Sequence, residues 1–374
     1  MLKYSRILCF LALAPILENS AAQEIELQSS ARLILGTYTE RTASIACGDL
    51  DGDGDTDLVV ANGRHWPGQN RIFLNNGRGI FTVELPLGSS RATTYATELA
   101  DLDGDGDLDI AVGNDMAPNE LFLNDGSGNF TKTASFGAEY APTRNLSLAD
   151  LDQDGDVDIL ITNRGRPNEI CLNDGDGNFG ETMEFGSRED STIDVEVADM
   201  DGDGDLDLIL ANRDAQPNYV YLNDGALGFG EKIPFGTGKD NTRSLSIADI
   251  DQDGFPDILL ANIREPNVIY FGSKESPYNR STAFDESTSR SFAISAADLD
   301  KDGDIDIAIG NAGSANAVFF NTGNGQNWKL SPLANEEHPT YDIIAADLNG
   351  DGYPDLIEAN SDALNRYYLS RAKK

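Results

Sequence analysis

The stretch "DLDGDGDTDLVVAN", residues 49–62, decides how the whole chain is read. Aspartates stand at alternate positions across a glycine-broken turn, and an apolar run follows at once. The chain repeats this pattern. The opening aspartates are Asp49, Asp101, Asp150, Asp199, Asp249, Asp298 and Asp347, spaced 52, 49, 49, 50, 49 and 49 residues apart. Self-similarity at such a period marks a repeat architecture, in which one supersecondary unit stacks on copies of itself. Seven residues ahead of each cluster stands a hydroxyl: Thr42, Thr94, Thr143, Thr192, Thr242, Ser291 or Thr340. A hydroxyl at one offset in every copy reads as a structural hydrogen bond, not a catalytic group.

Between hydroxyl and cluster, segments such as "NLSLAD" and "SLSIAD" alternate with period two, which predicts a strand. After the cluster, "LVVA", "ILIT" and "LILA" fit a strand buried on both faces. A third strand ("RIFLN", "ELFLN", "YVYLN"), a glycine-rich turn and a fourth strand complete each unit. The expected fold is all-β, a seven-bladed β-propeller with four-stranded blades over residues 23–374. The last unit stops after its third strand, at "NRYYLS", whereas "ARLILG" precedes the first unit. Gly36 lies 13 residues before Asp49, as Gly137 does before Asp150. The N-terminal segment is therefore expected to be the fourth strand of the last blade, leaving no open edge.

Each cluster reads as a calcium loop. Positions one, three, five, seven and nine are Asp49, Asp51, Asp53, Asp55 and Asp57 in the first copy. They are Asp101, Asp103, Asp105, Asp107 and Asp109 in the second, and Asp150, Asp152, Asp154, Asp156 and Asp158 in the third. The fourth has Asp199, Asp201, Asp203, Asp205 and Asp207; the fifth has Asp249, Asp251, Asp253, Phe255 and Asp257. The sixth has Asp298, Asp300, Asp302, Asp304 and Asp306; the seventh has Asp347, Asn349, Asp351, Tyr353 and Asp355. Calcium takes six to eight oxygen ligands, and position seven usually supplies a backbone carbonyl. Phe255 and Tyr353 fit that division, since the side chain there is dispensable. Position twelve is apolar in Val60, Val112, Ile161, Leu210, Leu260 and Ile309, so these are β-hairpin loops, with position nine in the bidentate role. Up to seven calcium ions are expected, one per blade, the seventh site being weakest because of Asn349.

Composition follows from those loops. They hold half of the 64 acidic residues, and seven calcium ions would bring the net charge from −37 to −23. Loops of this extracellular kind bind at roughly 10⁻⁴–10⁻³ M. At about ten times the dissociation constant each site adds about 1.4 kcal/mol. Such an acidic chain is not expected to bind nucleic acid. Residues 1–22 look like an export signal: Lys3 and Arg6, the apolar run "ILCFLALAPIL", then a small-residue end. No later segment is apolar enough to span a bilayer. A monomer that is secreted, periplasmic or displayed at the cell surface is expected, with Cys47 and Cys171 as unbridged thiols.

The loops "DLDGDGDTDLVVANG", "DLDGDGDLDIAVGN" and "DMDGDGDLDLILAN" resemble the FG-GAP/VCBS repeats of the integrin α-chain propeller and of many secreted bacterial proteins. The resemblance extends over the mature chain. It implies calcium loops on one face and ligand binding on the other, where the loops joining strands two and three emerge. Among its members are adhesion modules; some polysaccharide lyases, the ulvan lyases, are also seven-bladed propellers. On that implied binding face lies "ANGRHWPGQN", residues 61–70, three residues longer than most of its counterparts. Arg64, His65 and Trp66 are expected to project there as a ligand wall, the Trp face for a sugar ring and the Arg for its anionic group. Most arginines fall in the same loops, among them Arg41, Arg144, Arg164, Arg166, Arg213, Arg243 and Arg290.

Trp328, by contrast, occupies the aromatic slot shared with Phe81, Phe130, Phe179 and Phe229, and is expected to pack. The inner-strand acids Glu98, Asp194, Glu196 and Asp342 are expected to line the channel against water. The functional expectation is a non-catalytic binding or adhesion module for an anionic polysaccharide or an extracellular protein. The alternative is a polysaccharide lyase using His65, His338, Tyr341 and Arg64, the two histidines facing each other across the junction of the first and last blades.

Overall fold

The computed structural model describes residues 24–333 and 337–373, so the expected export signal lies outside the described residues. Among them are 27 strands and no helix. No helix is therefore long and apolar enough to cross a membrane. The alternating segments form half-buried strands. In Thr143–Ala149, Leu146 and Leu148 are buried while Asn145 and Ser147 are only partly so. The apolar runs form six-residue strands such as Asp57–Asn62 and Asp207–Asn212, with every residue buried. Fully burying one such Leu, Ile or Val side chain stabilises by about 1.5–3 kcal/mol.

Five sheets have four antiparallel strands in sequence order, for example Thr94–Ala100, Asp109–Asn114, Glu120–Asn124 and Phe130–Ala134. The remaining strands form one seven-stranded sheet. Sheets therefore number six among the described residues, not the seven expected. The reason is continuity: Ile34–Gly48 runs unbroken from the edge of the last repeat, where it pairs with Asp355–Ala372, into the first strand of the first repeat, where it pairs with Asp57–Asn62. In this sheet Ile25 pairs with Ala372, Gln28 with Leu369, and Ile34 with Arg366, so the N-terminal segment lies along the C-terminal strand.

The core is a series of apolar clusters, each shared by neighbouring repeats. One joins Leu121 and Phe136 to Leu146, Ile159 and Cys171. Another joins Ile45, Leu58 and Phe73 to Ile344, Ile357 and Tyr367. Trp328 packs with Phe284, ring centroids 5.8 Å apart, as its slot predicts. No disulfide joins Cys47 and Cys171.

Paired asparagines shape the loops after the second strand. In every copy the first asparagine donates its backbone N–H to the side-chain oxygen of the second: Asn62 to Asn70 at 2.9 Å, Asn212 to Asn218 at 2.7 Å and Asn360 to Asn365 at 2.7 Å are three of these bonds. The second asparagine then reaches the hydroxyl of the following unit. Asn70 donates to Thr94 at 3.0 Å, Asn218 to Thr242 at 3.0 Å, Asn316 to Thr340 at 2.7 Å, and Asn365 to Thr42 at 3.0 Å. Thr94 and Thr340 pass the chain on to Asn114 and Asn360. The repeated hydroxyl is thus a structural relay between units.

Candidate functional site

The acidic loops share one internal architecture. The position-one carboxylate accepts the N–H of the position-six glycine in every copy, as from Gly54 to Asp49 at 3.0 Å and Gly352 to Asp347 at 2.7 Å. Glycine is needed there because φ lies near +90° in Gly54 and Gly254, a region that side chains disfavour. The position-five carboxylate accepts the N–H of position seven whatever the side chain: Asp53 from Asp55, Asp253 from Phe255 at 3.0 Å, Asp351 from Tyr353 at 2.9 Å. Position nine is buried and clamps the loop to the third strand. Asp57 accepts from Leu50 N at 3.0 Å and Asn75 N at 2.7 Å, and its counterparts Asp109 to Asp355 do likewise.

These loops bring carboxylates together without pairing all of them. Ligand-capable oxygens of Asp49, Asp51 and Asp53 lie within 4.8 Å of one another, as do those of Asp101, Asp103 and Asp109. Buried oxygens of Asp51, Asp101, Asp150, Asp251, Asp298 and Asp300 accept no hydrogen bond. Orphaned buried acceptors are rare in folded proteins. Burial, opposed by the two backbone N–H groups, pushes Asp57, Asp109, Asp207, Asp257 and Asp355 up to about 7. It pushes Asp158 to about 6 and Asp306 to about 8. The donor set is all oxygen, the type a hard divalent cation prefers.

At the other end of the buried second strand the chemistry changes sign. Each first strand carries a register shift just after its hydroxyl, as between Thr94 and Ala96 or Thr340 and Asp342. A bulge re-aims the extra side chain. The residues so placed are Ala43, Tyr95, Arg144, Ile193, Arg243, Phe292 and Tyr341. Five of them, Tyr95, Arg144, Arg243, Phe292 and Tyr341, meet one another or the long loop. His65 Nδ1 lies 2.8 Å from the Tyr95 hydroxyl, and Arg144 sits 4.5 Å over the Tyr95 ring. The Arg64 guanidinium stacks 3.7 Å over Tyr341, whose ring meets Phe292 at 4.9 Å. Burial, then Arg64 and Arg144, hold His65 below the usual imidazole range, favouring the neutral ring.

The long loop is pinched at its base. Gly63 donates to Arg41 O, Gly68 donates to Ala92 O at 2.9 Å, and a Cβ on Gly63 would meet that same Ala92 oxygen at 2.3 Å. His65 adopts φ +68°, the left-handed region. Trp66 is 66% exposed, with Arg41 5.9 Å from its ring, so it projects from the loop rather than folding over it. Arg164 pairs with Asp214 at 2.7 Å, Arg213 lies 3.5 Å from the same carboxylate, and Arg166 is exposed.

Two sequence expectations need correction. The His65 ring turns to Tyr95 of the following repeat, and it is not His65 that reaches across to the last repeat. It is Arg64 that crosses to the last repeat, touching Tyr341 and Ser361. The inner-strand acids are not left to water. Asp342 accepts from Ile45 N and Asp194 from Leu245 N, both at 3.0 Å, each tying the first strand of one repeat to that of the next. Glu358, without an account from sequence, accepts from Asn316 at 2.7 Å and from Asn360 at 3.4 Å. It is a tie between asparagine brackets.

Repeated four-stranded antiparallel sheets, each with a carboxylate loop at one end and an asparagine bracket at the other, define a repeat propeller. The chain belongs to the FG-GAP-like repeat family: residues 49–112, 101–161, 150–210, 199–260, 252–309 and 298–358 match it. Among solved structures it is similar to BBS1N in complex with ARL6DN in a lead-soaked crystal, at 13% identity and TM-score 0.59, covering 92% of this chain and 96% of that one. The mercury-soaked crystal of that complex gives 11% identity and TM-score 0.59, covering 90% and 97%. No curated protein sequence matches the chain.

Proposed function

We propose that this chain is an exported, calcium-stabilised, seven-bladed propeller acting as a non-catalytic binding module. The observation that carries the binding role is the segregation of charge along each repeat. Guanidiniums and aromatic rings gather at one end of the second strand, and the carboxylate loops lie at the other. Six extended residues separate the ends by about 17–20 Å. That distance exceeds the screening length of about 8–10 Å at moderate ionic strength. The rim can therefore hold an anionic partner, either a polysaccharide or an extracellular protein, despite a net charge of −37. A protein partner is supported further by the similar BBS1N fold, which is seen in complex with ARL6DN.

The seven-blade reading divides the seven-stranded sheet in two: Thr340–Ala346 with Asp355–Ala372 and the N-terminal segment, then the rest. The Asn365–Thr42 and Ile45–Asp342 bonds support a closed ring. Calcium would be held by the carboxylates at positions one, three, five and nine with the position-seven carbonyl, neutralising the orphaned oxygens. Chelation should lower the melting temperature greatly, and elemental analysis should recover several calcium ions per chain. Metal-free protein with unchanged melting would end that part of the proposal.

The His65–Tyr95 pair beside Arg64 and Arg144 favours a second reading, a polysaccharide lyase. His65 would take the C5 proton of a uronate while an arginine neutralises its carboxylate. Tyr95 would protonate the departing oxygen as the C4–O bond breaks and the C4–C5 double bond forms. Incubation with uronic-acid polymers, followed by the absorbance of unsaturated ends, separates the readings. Turnover that vanishes in His65→Ala makes it an enzyme; no turnover leaves the binding module.

A further inference from the structure

Arg64, Arg213 and Arg243 are rim guanidiniums that donate no hydrogen bond to a carboxylate among the described residues, although Arg213 lies in an ion pair 3.5 Å from Asp214. Arg64 donates to the Ser361 hydroxyl at 3.2 Å and lies flat on Tyr341. Arg213 is outcompeted for Asp214, which Arg164 holds at 2.7 Å, and its buried Nε makes no hydrogen bond. Arg243 leans on Phe292, 5.8 Å from the centroid, and its nearest acid, Asp194, already accepts from Leu245 N and from Asn145. They come from different repeats, yet Arg213 and Arg243 both lie within electrostatic reach of Tyr341, and Arg243 also of Tyr95. Geometry joins two of them: Arg64 stacks on Tyr341, Tyr341 meets Phe292 at 4.9 Å, and Arg243 lies over Phe292 at 5.8 Å. Arg213 is near enough to act on both Arg243 and Tyr341. Stacking on rings presents guanidinium edges, whose planar fork matches a carboxylate.

A second feature lies on the same rim. Met116 and Tyr140 are 57% and 56% exposed, at φ +58° and +59°. Their loops are joined by the Met116 N to Ala141 O bond at 2.8 Å, next to Asp115 and its partner Arg144. Other copies place Gly165, Asp214 or Gly313 at the turn position of Met116. Positive φ is general at this turn, being shared by Asp214, Arg264 and Asp362, so what sets Met116 apart is an exposed apolar side chain. On this rim the faces of Tyr341 and Tyr95 are already covered by Arg64 and Arg144, which leaves little room for a sugar to stack. An apolar patch of Met116 and Tyr140 beside guanidiniums that donate no hydrogen bond to a carboxylate suits a peptide better.

Building on the rim as the binding face, we propose that Arg64, Arg213 and Arg243 clamp a carboxylate of an acidic peptide segment whose apolar neighbour rests on Met116 and Tyr140. The test is fluorescence anisotropy in calcium with a labelled peptide of alternating glutamate and leucine, competed by unlabelled peptide or oligogalacturonate. The parent should bind the peptide. Arg213→Gln with Arg243→Gln should weaken binding about tenfold or more with unchanged melting. Met116→Gly should weaken it several-fold without loss of stability, and Lys132→Gln, on a fourth strand outside the rim and paired with Glu120, should leave it unchanged. Binding within twofold of the parent in the double variant overturns the clamp. If Trp66→Ala then weakens binding, the rim remains the binding face and only the clamp falls; if neither variant has an effect, both fall. Oligogalacturonate that binds more tightly than the peptide, and is lost in the double variant, overturns the peptide as occupant. Should the double variant melt early, Arg243→Lys, which keeps the charge and removes the fork, carries the same criterion.

Discussion

Replacing Asn365 by alanine tests the junction between the two termini through one side chain. Asn365 is buried; its oxygen accepts the Asn360 N–H at 2.7 Å and its amide donates to Thr42 Oγ1 at 3.0 Å. The variant leaves the Asn360 N–H buried and unsatisfied, which costs about 1–3 kcal/mol, and removes a further bond worth about 0.5–1.5 kcal/mol. A loss of about 2–4 kcal/mol is therefore expected, a large part of the ~5–15 kcal/mol that holds a domain together. Asn218 supplies the control within a four-stranded sheet, with the same two bonds at 2.7 and 3.0 Å to Asn212 and Thr242. Equilibrium urea unfolding in saturating calcium should give both variants lower midpoints with little change in slope, since the surface exposed on unfolding is similar. If Asn218→Ala costs 2–4 kcal/mol while Asn365→Ala costs less than about 1 kcal/mol, the junction is not a relay like the others. The closed ring would then be refuted.

Two further outcomes follow from the loops and the rim. In calcium-depleted protein the position-nine aspartates, raised from 3.8 to about 7 in Asp57 and Asp207, bind protons in the folded state that the unfolded chain has released. Stability should accordingly be greatest at the acidic end of that window and fall as pH rises from about 4 through 7. Added calcium should remove the fall, and melting temperature against pH, with chelator and with calcium, reads both; a pH-independent depleted protein would contradict the burial argument. Trp66→Ala should change stability by no more than about 0.5 kcal/mol, as expected for an exposed side chain outside the core. It should weaken an anionic ligand by about 1–3 kcal/mol if the indole stacks on it, which titration calorimetry can measure. A stability loss of several kcal/mol would make Trp66 a plug.

The repeats act as controls for one another, and that is why some features could be read from sequence and others could not. Columns fixed across the copies serve the fold. The hydroxyls became relays, the position-six glycines became left-handed turns, and position nine became the clamp to the third strand. The count of sheets was less accessible, because sequence counts copies whereas hydrogen bonding follows continuous strands such as Ile34–Gly48, which pairs with both the last and the first repeat. Least legible was the bulge after each hydroxyl, which arises from backbone register and leaves no period in the residues. The sequence assigned Arg144 and Arg243 to the rim but gave no reason for them to meet Tyr95, Phe292 and Tyr341. Yet a signal was present. The column that reads Ala43, Tyr95, Arg144, Ile193, Arg243, Phe292, Tyr341 changes size and charge at every step, beside a hydroxyl that does not change. A side chain packed between identical neighbours could not vary so freely, since a core senses even a methylene. A freely varying column next to a fixed one therefore marks where side chains leave the repeat core. Here that column supplies Arg144, Arg243, Phe292 and Tyr341, the side chains that stack beside the long loop.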